Sequence, residues 1–277
     1  MIVRQNLHTH TTFCDGLNPP KDMVMSAVNK GMTSIGFSGH ALTEHDKSYC
    51  MSRENTFKYR DELLRLREEY KDTVKIYIGL EQDYYSVEPL IKTDYLIGSV
   101  HYVLKDSEYI PVDETKEWIL DAVNRLYNGD IYSFLEDYYN TLADAYNKTK
   151  CDIIGHFDLP EKFNRDGKFF DRQHPRYVAA YERAMKILIK QGRIFEINTG
   201  GMAKGYTDFP YPNEYILRKI AALGGKVTVS SDSHSVETID FKLDKMCKLA
   251  YDCGFKEIYQ LGDNGFYSIN IEVSNHL

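Results

Sequence analysis

Two histidines separated by one residue, His8 and His10, are the first side chains whose types and spacing could do chemistry. Residues 3–7 predict a short strand that continues toward them, and alternate side chains of a strand share a face. The two imidazoles then point the same way, as in a chelate for a divalent metal. Asp15 follows one tight turn later and could add an oxygen ligand. Taken alone, the pair also fits two surface or hydrogen-bonded histidines. The choice between these interpretations depends on residues further along the chain.

Strand-like and helix-like segments alternate along the chain. Short apolar runs predict seven strands, at residues 3–7, 33–38, 75–80, 94–100, 151–155, 193–198 and 226–230. Amphipathic or well-bounded segments predict helices at residues 21–30, 54–70, 115–128, 132–150, 175–191, 213–223 and 238–253. Strands separated mostly by helices favour a parallel sheet buried on both faces.

Six of the seven predicted strands are followed by a histidine or a carboxylate. These residues are His8, His10, His40, Glu81, His101, His156, Asp232 and His234. In a closed α/β barrel the carboxyl ends of the strands share one rim, where active sites are built. Six of the nine histidines lie at these ends, whereas His45, His174 and His276 do not. The pattern predicts a multinuclear metal site, and the alternative is a set of hydrogen-bonded core histidines.

Length and composition limit the class of protein. The 277 residues suit one large α/β barrel domain or two smaller domains, and we predict a single domain over residues 1–277. Hydrophobic residues make up 43% and charged residues 27%, as is ordinary for a globular protein. With a net charge of -7 and no dense block of Lys or Arg, nucleic acid is a disfavoured partner. The oligomeric state stays open.

The cysteines and the apolar runs indicate the compartment. Five cysteines without a C-x-x-C pair make a disulfide framework unlikely and favour a reducing cytoplasm. We see no basic segment followed by an apolar core at the start, which is the pattern of a signal peptide. No apolar run approaches the roughly 20 residues that span a bilayer, so we expect no membrane association.

The motifs at the strand ends resemble those of the PHP (polymerase and histidinol phosphatase) superfamily. They are H-x-H (8–10), D-G (15–16), G-H (39–40), G-x-E (79–81), S-V-H (99–101), G-H-F-D (155–158) and S-D-S-H (231–234). The histidinol-phosphate phosphatase branch is the nearest likeness, through G-H-F-D-L (155–159), E-I-N-T-G-G (196–201) and Y-P (211–212). The resemblance implies an α/β fold that is a distorted TIM-like barrel of seven β/α units with three metals.

The resemblance also implies which residues hold the metals. The first metal would take His8, His10, Glu81 and Asp232, the second Glu81, His101 and His156, and the third Asp15, His40 and His234. Glu81 would bridge the first two. The ions would be Zn, Fe or Mn, and their identity stays open because His and carboxylate ligands accept several divalent ions.

Three divalent cations against three carboxylates leave a net charge of about +3, which suits a phosphate monoester dianion. The resemblance implies a metal-dependent phosphomonoesterase that converts L-histidinol phosphate to L-histidinol and phosphate in histidine biosynthesis. The leaving alkoxide needs a proton, for which Asp232 and His234 are candidates. His45 is a third candidate, with an exposed loop histidine as its alternative.

Substrate contacts are less defined by the sequence. Lys162, Arg165 and Lys204 follow strand ends and could bind a small phosphorylated substrate, although each could equally be a solvated surface charge. The family tends to carry an arginine after E-I-N-T, where this chain has Met-Ala-Lys at 202–204. Glu161 and Asp158 are candidates for contacts to the amine or the imidazole of histidinol phosphate.

Two other functions remain open. The chain could be a PHP phosphoesterase that acts on another phosphomonoester, on nucleotides or on single-stranded nucleic acid. It could also be a non-catalytic metal-binding module. The complete set of candidate ligands argues against the second alternative, because degenerate modules usually lose ligands.

Overall fold

The computed structural model describes residues 4–271. Within them the strands are β1 (Gln5–Asn6), β2 (Ser34–Phe37), β3 (Lys75–Asp83), β4 (Tyr95–Ser99), β5 (Tyr102–Lys105), β6 (Glu108–Pro111), β7 (Ile153–Ile154), β8 (Ile194–Asn198), β9 (Lys226–Ser230), β10 (Glu257–Gly262) and β11 (Gly265–Asn270). The α-helices are α1 (Pro20–Asn29), α2 (Arg53–Glu69), α3 (Lys116–Leu126), α4 (Ile131–Ala143), α5 (Ala145–Thr149), α6 (Pro175–Lys190), α7 (Gly200–Ala203), α8 (Glu214–Ala222) and α9 (Leu243–Asp252). A 3-10 helix spans Leu159–Phe163.

Seven parallel strands form the barrel, in the order β1-β2-β3-β4-β7-β8-β9. The two end strands approach each other through a parallel bridge between Thr9 and Ser233. The Ser233 carbonyl oxygen accepts from the amide of His10 at 2.8 Å, and the Ser233 amide donates to the His8 carbonyl oxygen at 3.0 Å. The predicted seven-unit barrel is confirmed, and each strand lies at its predicted place; Val3, part of the first predicted strand, lies outside the described residues.

Several helices begin at residues whose side chains accept hydrogen bonds from backbone amides. Ser52 accepts from the amide of Asn55 at the start of α2, and Asn213 accepts from that of Ile216 at the start of α8. The last predicted helix starts later than expected, at Leu243, because Lys242 adopts a left-handed backbone with φ 56° that a helix cannot continue.

A tyrosine fills the barrel interior near the amino ends of the strands. Tyr95 is fully buried, and its hydroxyl donates to the carbonyl oxygens of Leu7 and Phe37, the second at 3.1 Å. Gly36 and Gly79 leave room for it, since a Cβ at either glycine would lie 2.5 Å from atoms of the Tyr95 side chain. This end of the barrel is therefore a packed core and not a passage.

Two antiparallel hairpins, β5–β6 and β10–β11, were not among the predicted elements. The first turns through two residues with positive φ, Asp106 and Ser107. The second joins the barrel through Gln5, whose side chain donates to the Leu261 carbonyl oxygen at 3.0 Å and accepts from the Leu261 amide at 2.8 Å. The C-terminal hairpin is thus bonded to the first strand.

Among residues 4–271, no helix is both long and apolar enough to cross a membrane.

Candidate metal centre

The structure brings all nine predicted metal ligands together at the carboxyl ends of the barrel strands. Most follow a strand directly, Glu81 lies within β3, and Asp15 lies in the loop after β1. We call this set the nine-residue cluster: His8, His10, Asp15, His40, Glu81, His101, His156, Asp232 and His234. Its members come from positions up to 226 residues apart, so only the closed ring of strands can assemble them.

Glu81 lies at the centre of the nine-residue cluster. Its Oε2 atom is 3.1 Å from His8 Nε2 and 3.2 Å from His40 Nδ1. Its Oε1 atom is 2.9 Å from His156 Nε2 and 3.4 Å from His101 Nε2. Burial by itself would raise the pKa of the Glu81 carboxyl, but the imidazoles of His8, His40 and His101 hold that pKa well below its usual range. Glu81 is therefore an ionised carboxylate shared among several imidazoles.

Asp15 and Asp232 supply the other carboxylates. Asp15 lies 3.2 Å from His10 Nδ1, 3.1 Å from His234 Nε2 and 3.6 Å from His40 Nε2. Asp232 Oδ1 lies 3.4 Å from His10 Nε2 and 3.6 Å from His234 Nδ1. The Asp232 backbone has φ 49°, in the left-handed region that Asp tolerates better than most residues. Backbone strain of this kind clusters at functional sites.

Buried nitrogen atoms without hydrogen bonds show that the cluster suits cations. His10 Nε2 and His40 Nδ1 are buried and have no hydrogen-bond partner among the described residues. Each nonetheless lies within 3.4 Å of a carboxylate oxygen. Three groups of side chains have ligand atoms within 4.8 Å of one another: His10, Asp15, His40 and His234; His8, His10 and Asp232; and His40, Glu81 and His101. Imidazole nitrogens and buried carboxylates that converge in this way fit divalent metal ions.

Two carboxylates behind the cluster were missed by sequence reasoning. Glu196, on β8, lies 2.6 Å from His8 Nδ1 and also accepts from the amide of His156 at 3.0 Å. Asp83 lies 3.3 Å from His101 Nδ1 and accepts from the His101 amide at 2.8 Å. At His8, the carboxylate on Nδ1 places the imidazole proton there and leaves Nε2 free for a metal. A charged residue inside an otherwise apolar strand was the available signal for Glu196.

A cavity of about 130 Å³ opens above the cluster. Beside cluster members, its wall includes Tyr49, Tyr102, Asp113, Glu114, Lys162, Lys204, Tyr206 and Tyr211. Lys204 Nζ lies 3.5 Å from His234 Nε2, and no carboxylate of the described residues forms an ion pair with it. Lys162 lies 3.4 Å from Asp113 Oδ2, so its charge is already matched.

Several predicted site residues lie elsewhere. Arg165 is 55% exposed and forms two hydrogen bonds of 2.7 Å with Asp208, so the structure does not bring it to the cavity wall. His45 is outside the wall as well, because its ring stacks on Tyr109 with centroids 4.0 Å apart. A loop that follows a strand can lead away from the barrel rim. The number of residues between a loop side chain and a predicted metal ligand therefore does not predict whether that side chain reaches the cavity.

The acidic contacts expected from Asp158 and Glu161 are also absent from the cavity wall. Asp158 is fully buried and accepts from the amide and the side chain of Asn213, at 3.0 and 2.9 Å. Glu161 accepts from Arg172 Nε at 2.8 Å. The Oδ2 atom of Asp158 and the Glu161 carboxylate are thus engaged by Asn213 and Arg172, and neither residue lines the cavity.

Comparisons with known proteins agree with this geometry. The family model of the PHP domain matches residues 6–200. The chain is 27% identical to a probable histidinol-phosphatase of Schizosaccharomyces pombe, over 97% of this chain and 94% of that protein. It is 24% identical to the histidinol-phosphatase of Bacillus subtilis, over 84% of this chain and 94% of that protein.

Solved structures show the same fold. A histidinol phosphate phosphatase from Lactococcus lactis, complexed with zinc, L-histidinol and phosphate, superposes with a TM-score of 0.74 at 20% identity, covering 96% of this chain and 100% of that chain. A putative histidinol phosphatase from Listeria monocytogenes superposes with a TM-score of 0.73 at 20% identity, covering 88% of this chain and 100% of that chain. Because the family model matches more than half of its length and the barrel fold agrees with that match, this chain belongs to the PHP domain family.

Proposed function

We propose that this chain is a metal-dependent phosphomonoesterase that hydrolyses L-histidinol phosphate to L-histidinol and inorganic phosphate. The observation that carries the proposal is the nine-residue cluster at the floor of the cavity, with Glu81 at its centre. The relatives named histidinol-phosphatase, which align over most of this chain, support the choice of substrate. An acidic protein can bind a dianion here because the cations would reverse the local charge.

The cluster would hold three divalent ions, Zn, Fe or Mn. The first would lie among His8, His10, Glu81 and Asp232, the second among Glu81, His101 and His156, and the third among Asp15, His40 and His234. When bound, such ions supply Lewis-acid activation of water and neutralise phosphoryl charge. The clustering of ligand atoms supports this division for the first and third groups, in which most members lie within 4.8 Å of one another.

Proton transfer in this reaction falls to Asp232. Its side chain borders the cavity, and Asn198 Nδ2 orients it by donating to Oδ2 at 3.1 Å. Asp232 takes a proton from the attacking water and returns it to the oxygen of the leaving alcohol. His234 holds its Nδ1 proton against the Asp232 carbonyl oxygen at 3.0 Å, which keeps its Nε2 facing Asp15. His45 has no part in the proposal, because it lies off the cavity wall.

Charged side chains on the wall suit the two ends of the substrate. Lys204, beside His234, is placed to meet a phosphoryl oxygen as a point charge. Glu114 borders the same cavity and forms no ion pair with any described residue. Its carboxylate would meet the ammonium or the imidazole of L-histidinol phosphate. Lys162 and Asp113 neutralise each other and would shape the wall between these two ends.

The test is a turnover comparison with metal-loaded protein. L-histidinol phosphate, nucleoside monophosphates, para-nitrophenyl phosphate and short single-stranded DNA are assayed side by side for phosphate or nucleotide release. We expect kcat/KM for L-histidinol phosphate to exceed the other values by at least tenfold, because only it places a cation at Glu114. As controls, Glu81→Ala should lower kcat/KM more than tenfold, and the exposed Glu68→Ala should leave it unchanged.

Three outcomes contradict the proposal. Faster hydrolysis of nucleotides or single-stranded DNA would make the chain a different phosphoesterase. Bound metal without turnover of any substrate would make it a metal-binding module. Activity of Glu81→Ala within tenfold of the parent would remove the shared carboxylate from the mechanism.

We further infer one domain over residues 1–277 and a cytoplasmic location. The bonds between Gln5 and Leu261, which join the first strand to the C-terminal hairpin, support the single domain. The five cysteines are all free, which suits a reducing compartment.

A further inference from the structure

A tyrosine hydroxyl on the cavity wall has no role in the mechanism above. The Tyr211 side chain is 3% exposed, and its hydroxyl has no hydrogen-bond partner among the described residues. The nearby Thr207 donates its own hydroxyl proton to the Phe209 carbonyl oxygen at 2.7 Å. A buried hydroxyl without a partner is costly, and such groups in native proteins often await a ligand or ordered water.

The hydroxyl is held rigidly. The Tyr211 amide donates to the Asn198 carbonyl oxygen at 2.9 Å, and the Asn198 amide donates to the Tyr211 carbonyl oxygen at 2.7 Å. These two bonds fix the backbone of Tyr211 to the carboxyl end of β8. The position of the Tyr211 ring is therefore set by β8 of the barrel and not by a flexible loop.

Two consecutive glycines place this hydroxyl beside the reacting end of the cavity. A Cβ on Gly200 would lie 2.9 Å from Asp232 Oδ2, and a Cβ on Gly201 would lie 2.6 Å from the Tyr211 hydroxyl oxygen. Both glycines line the cavity. Since neighbouring Cα atoms are about 3.8 Å apart, the Asp232 carboxylate and the Tyr211 hydroxyl flank one glycine pair. The hydroxyl consequently lies on the part of the cavity wall that Gly200 and Gly201 share with Asp232.

We propose that Tyr211 donates a hydrogen bond to a non-bridging oxygen of the substrate's phosphoryl group. This rests on the proposed function, because it needs a phosphate monoester in the cavity. The hydroxyl is a donor whose proton is uncommitted, and a phosphoryl dianion is the strongest acceptor that the reaction brings to this end. Charge builds on the phosphoryl oxygens as the ester bond breaks, so a donor already in place favours the transition state.

The test compares Tyr211→Phe with a matched control. Tyr181, on α6, is also buried with a hydroxyl that lacks a hydrogen-bond partner, but it lies off the cavity wall. Metal-loaded parent, Tyr211→Phe and Tyr181→Phe are assayed for kcat and KM on L-histidinol phosphate and for inhibition by inorganic phosphate. We expect Tyr211→Phe to lower kcat/KM by about ten- to a hundredfold and to weaken phosphate inhibition, with metal content unchanged. Tyr181→Phe should match the parent.

The remaining outcomes overturn the inference. Values for Tyr211→Phe within twofold of an active parent would show that the hydroxyl contacts no phosphoryl oxygen. Equal losses in both variants would make the effect a general one of buried hydroxyls. Loss of bound metal or a strongly lowered unfolding temperature in Tyr211→Phe would assign the hydroxyl a structural role. A parent that hydrolyses no phosphomonoester would instead remove the proposed function, which is a separate failure.

Discussion

Single carboxylates behind the cluster determine how its imidazoles face a cation. Glu196 is buried, holds His8 Nδ1 at 2.6 Å and accepts from the Ser230 hydroxyl. Burial would raise the pKa of Glu196, but the neighbouring His8 holds it below its usual value, so the group is an anion. Its negative charge increases the basicity of His8, which is how such outer carboxylates strengthen metal binding.

We expect Glu196→Gln to weaken metal binding about ten- to a hundredfold, because the amide keeps the shape but loses the charge. Titration of metal-free protein against a chromophoric chelator measures this directly. Glu182→Gln, at a surface carboxylate that pairs with Lys186 and Lys219, is the control and should bind metal as the parent does. Equal affinity in both variants would contradict the orienting role of Glu196.

Single residues also show where sequence reasoning succeeds and where it stops. Eight of the nine predicted ligands come together because each was taken from the end of an apolar run, where the chain reaches the barrel rim, and Asp15 joins them from the loop after β1. Glu196 was missed because it lies inside β8, two residues before the strand ends. Arg165 was misplaced because loop residues, unlike strand ends, take positions that depend on partners such as Asp208.

At the scale of elements, one carboxylate joins two helices of the barrel's outer layer. Asp130 accepts from the amides of Tyr132 and Ser133 at the start of α4. It also accepts from Arg176 of α6 at 2.6 Å. The hydrogen bond from Arg176 is the main cause that lowers the pKa of Asp130 to about 2. A group with a lowered pKa adds stability above its unfolded-state pKa and loses it as the pH falls.

Asp130→Ala should therefore lower the free energy of unfolding by about 1 kcal/mol at pH 7, chiefly through the lost cap of α4. The difference from the parent should shrink between pH 4 and pH 2, as Asp130 becomes protonated in the folded parent. Urea denaturation at several pH values measures both. Asp121→Ala, which removes an exposed pair with Arg125 inside α3, should change stability by no more than about 0.5 kcal/mol. A pH-independent difference for Asp130→Ala would contradict the ion pair.

The sequence predicted the barrel strands and most helices but not the two hairpins, and the reasons are physical. Buried parallel strands are continuous apolar runs, so all seven were recognised, and most helices lie within a few residues of their predicted bounds. The hairpins were missed because their strands mix polar and apolar residues instead of forming continuous apolar runs. The Asp263-Asn264 turn, followed by Gly265 with φ 102°, was the signal for the β10–β11 hairpin, and the β5–β6 turn, Asp106-Ser107, carries a weaker one.

At the scale of the whole molecule, the cluster joins strands all around the barrel. Its members follow or lie in β1, β2, β3, β4, β7 and β9, including both strands at the closing seam. Buried imidazole nitrogens of this rim, such as His10 Nε2 and His40 Nδ1, have no hydrogen-bond partner among residues 4–271. Metal binding and barrel stability are therefore coupled.

Removal of metal by a chelator should lower the unfolding temperature by about 10 °C. A site occupied at a thousandfold excess over its Kd stabilises by about 4 kcal/mol, and each kcal/mol shifts Tm by about 2–4 °C in a chain of this size. Calorimetry before and after chelation measures the shift, and added zinc should reverse it. Glu81→Ala should respond little to the chelator. An unchanged Tm in the parent would mean that the cluster does not hold cations tightly.

The Tyr95 side chain makes three positions interdependent. Its ring occupies the space that Gly36 and Gly79 leave open, and its hydroxyl donates to the carbonyl oxygens of Leu7, just after β1, and of Phe37 in β2. A methyl group on Gly36 or Gly79 would fit only if a smaller side chain replaced Tyr95. We therefore expect these three positions to covary among related chains, because a side chain added at either glycine clashes with the Tyr95 ring unless position 95 changes as well.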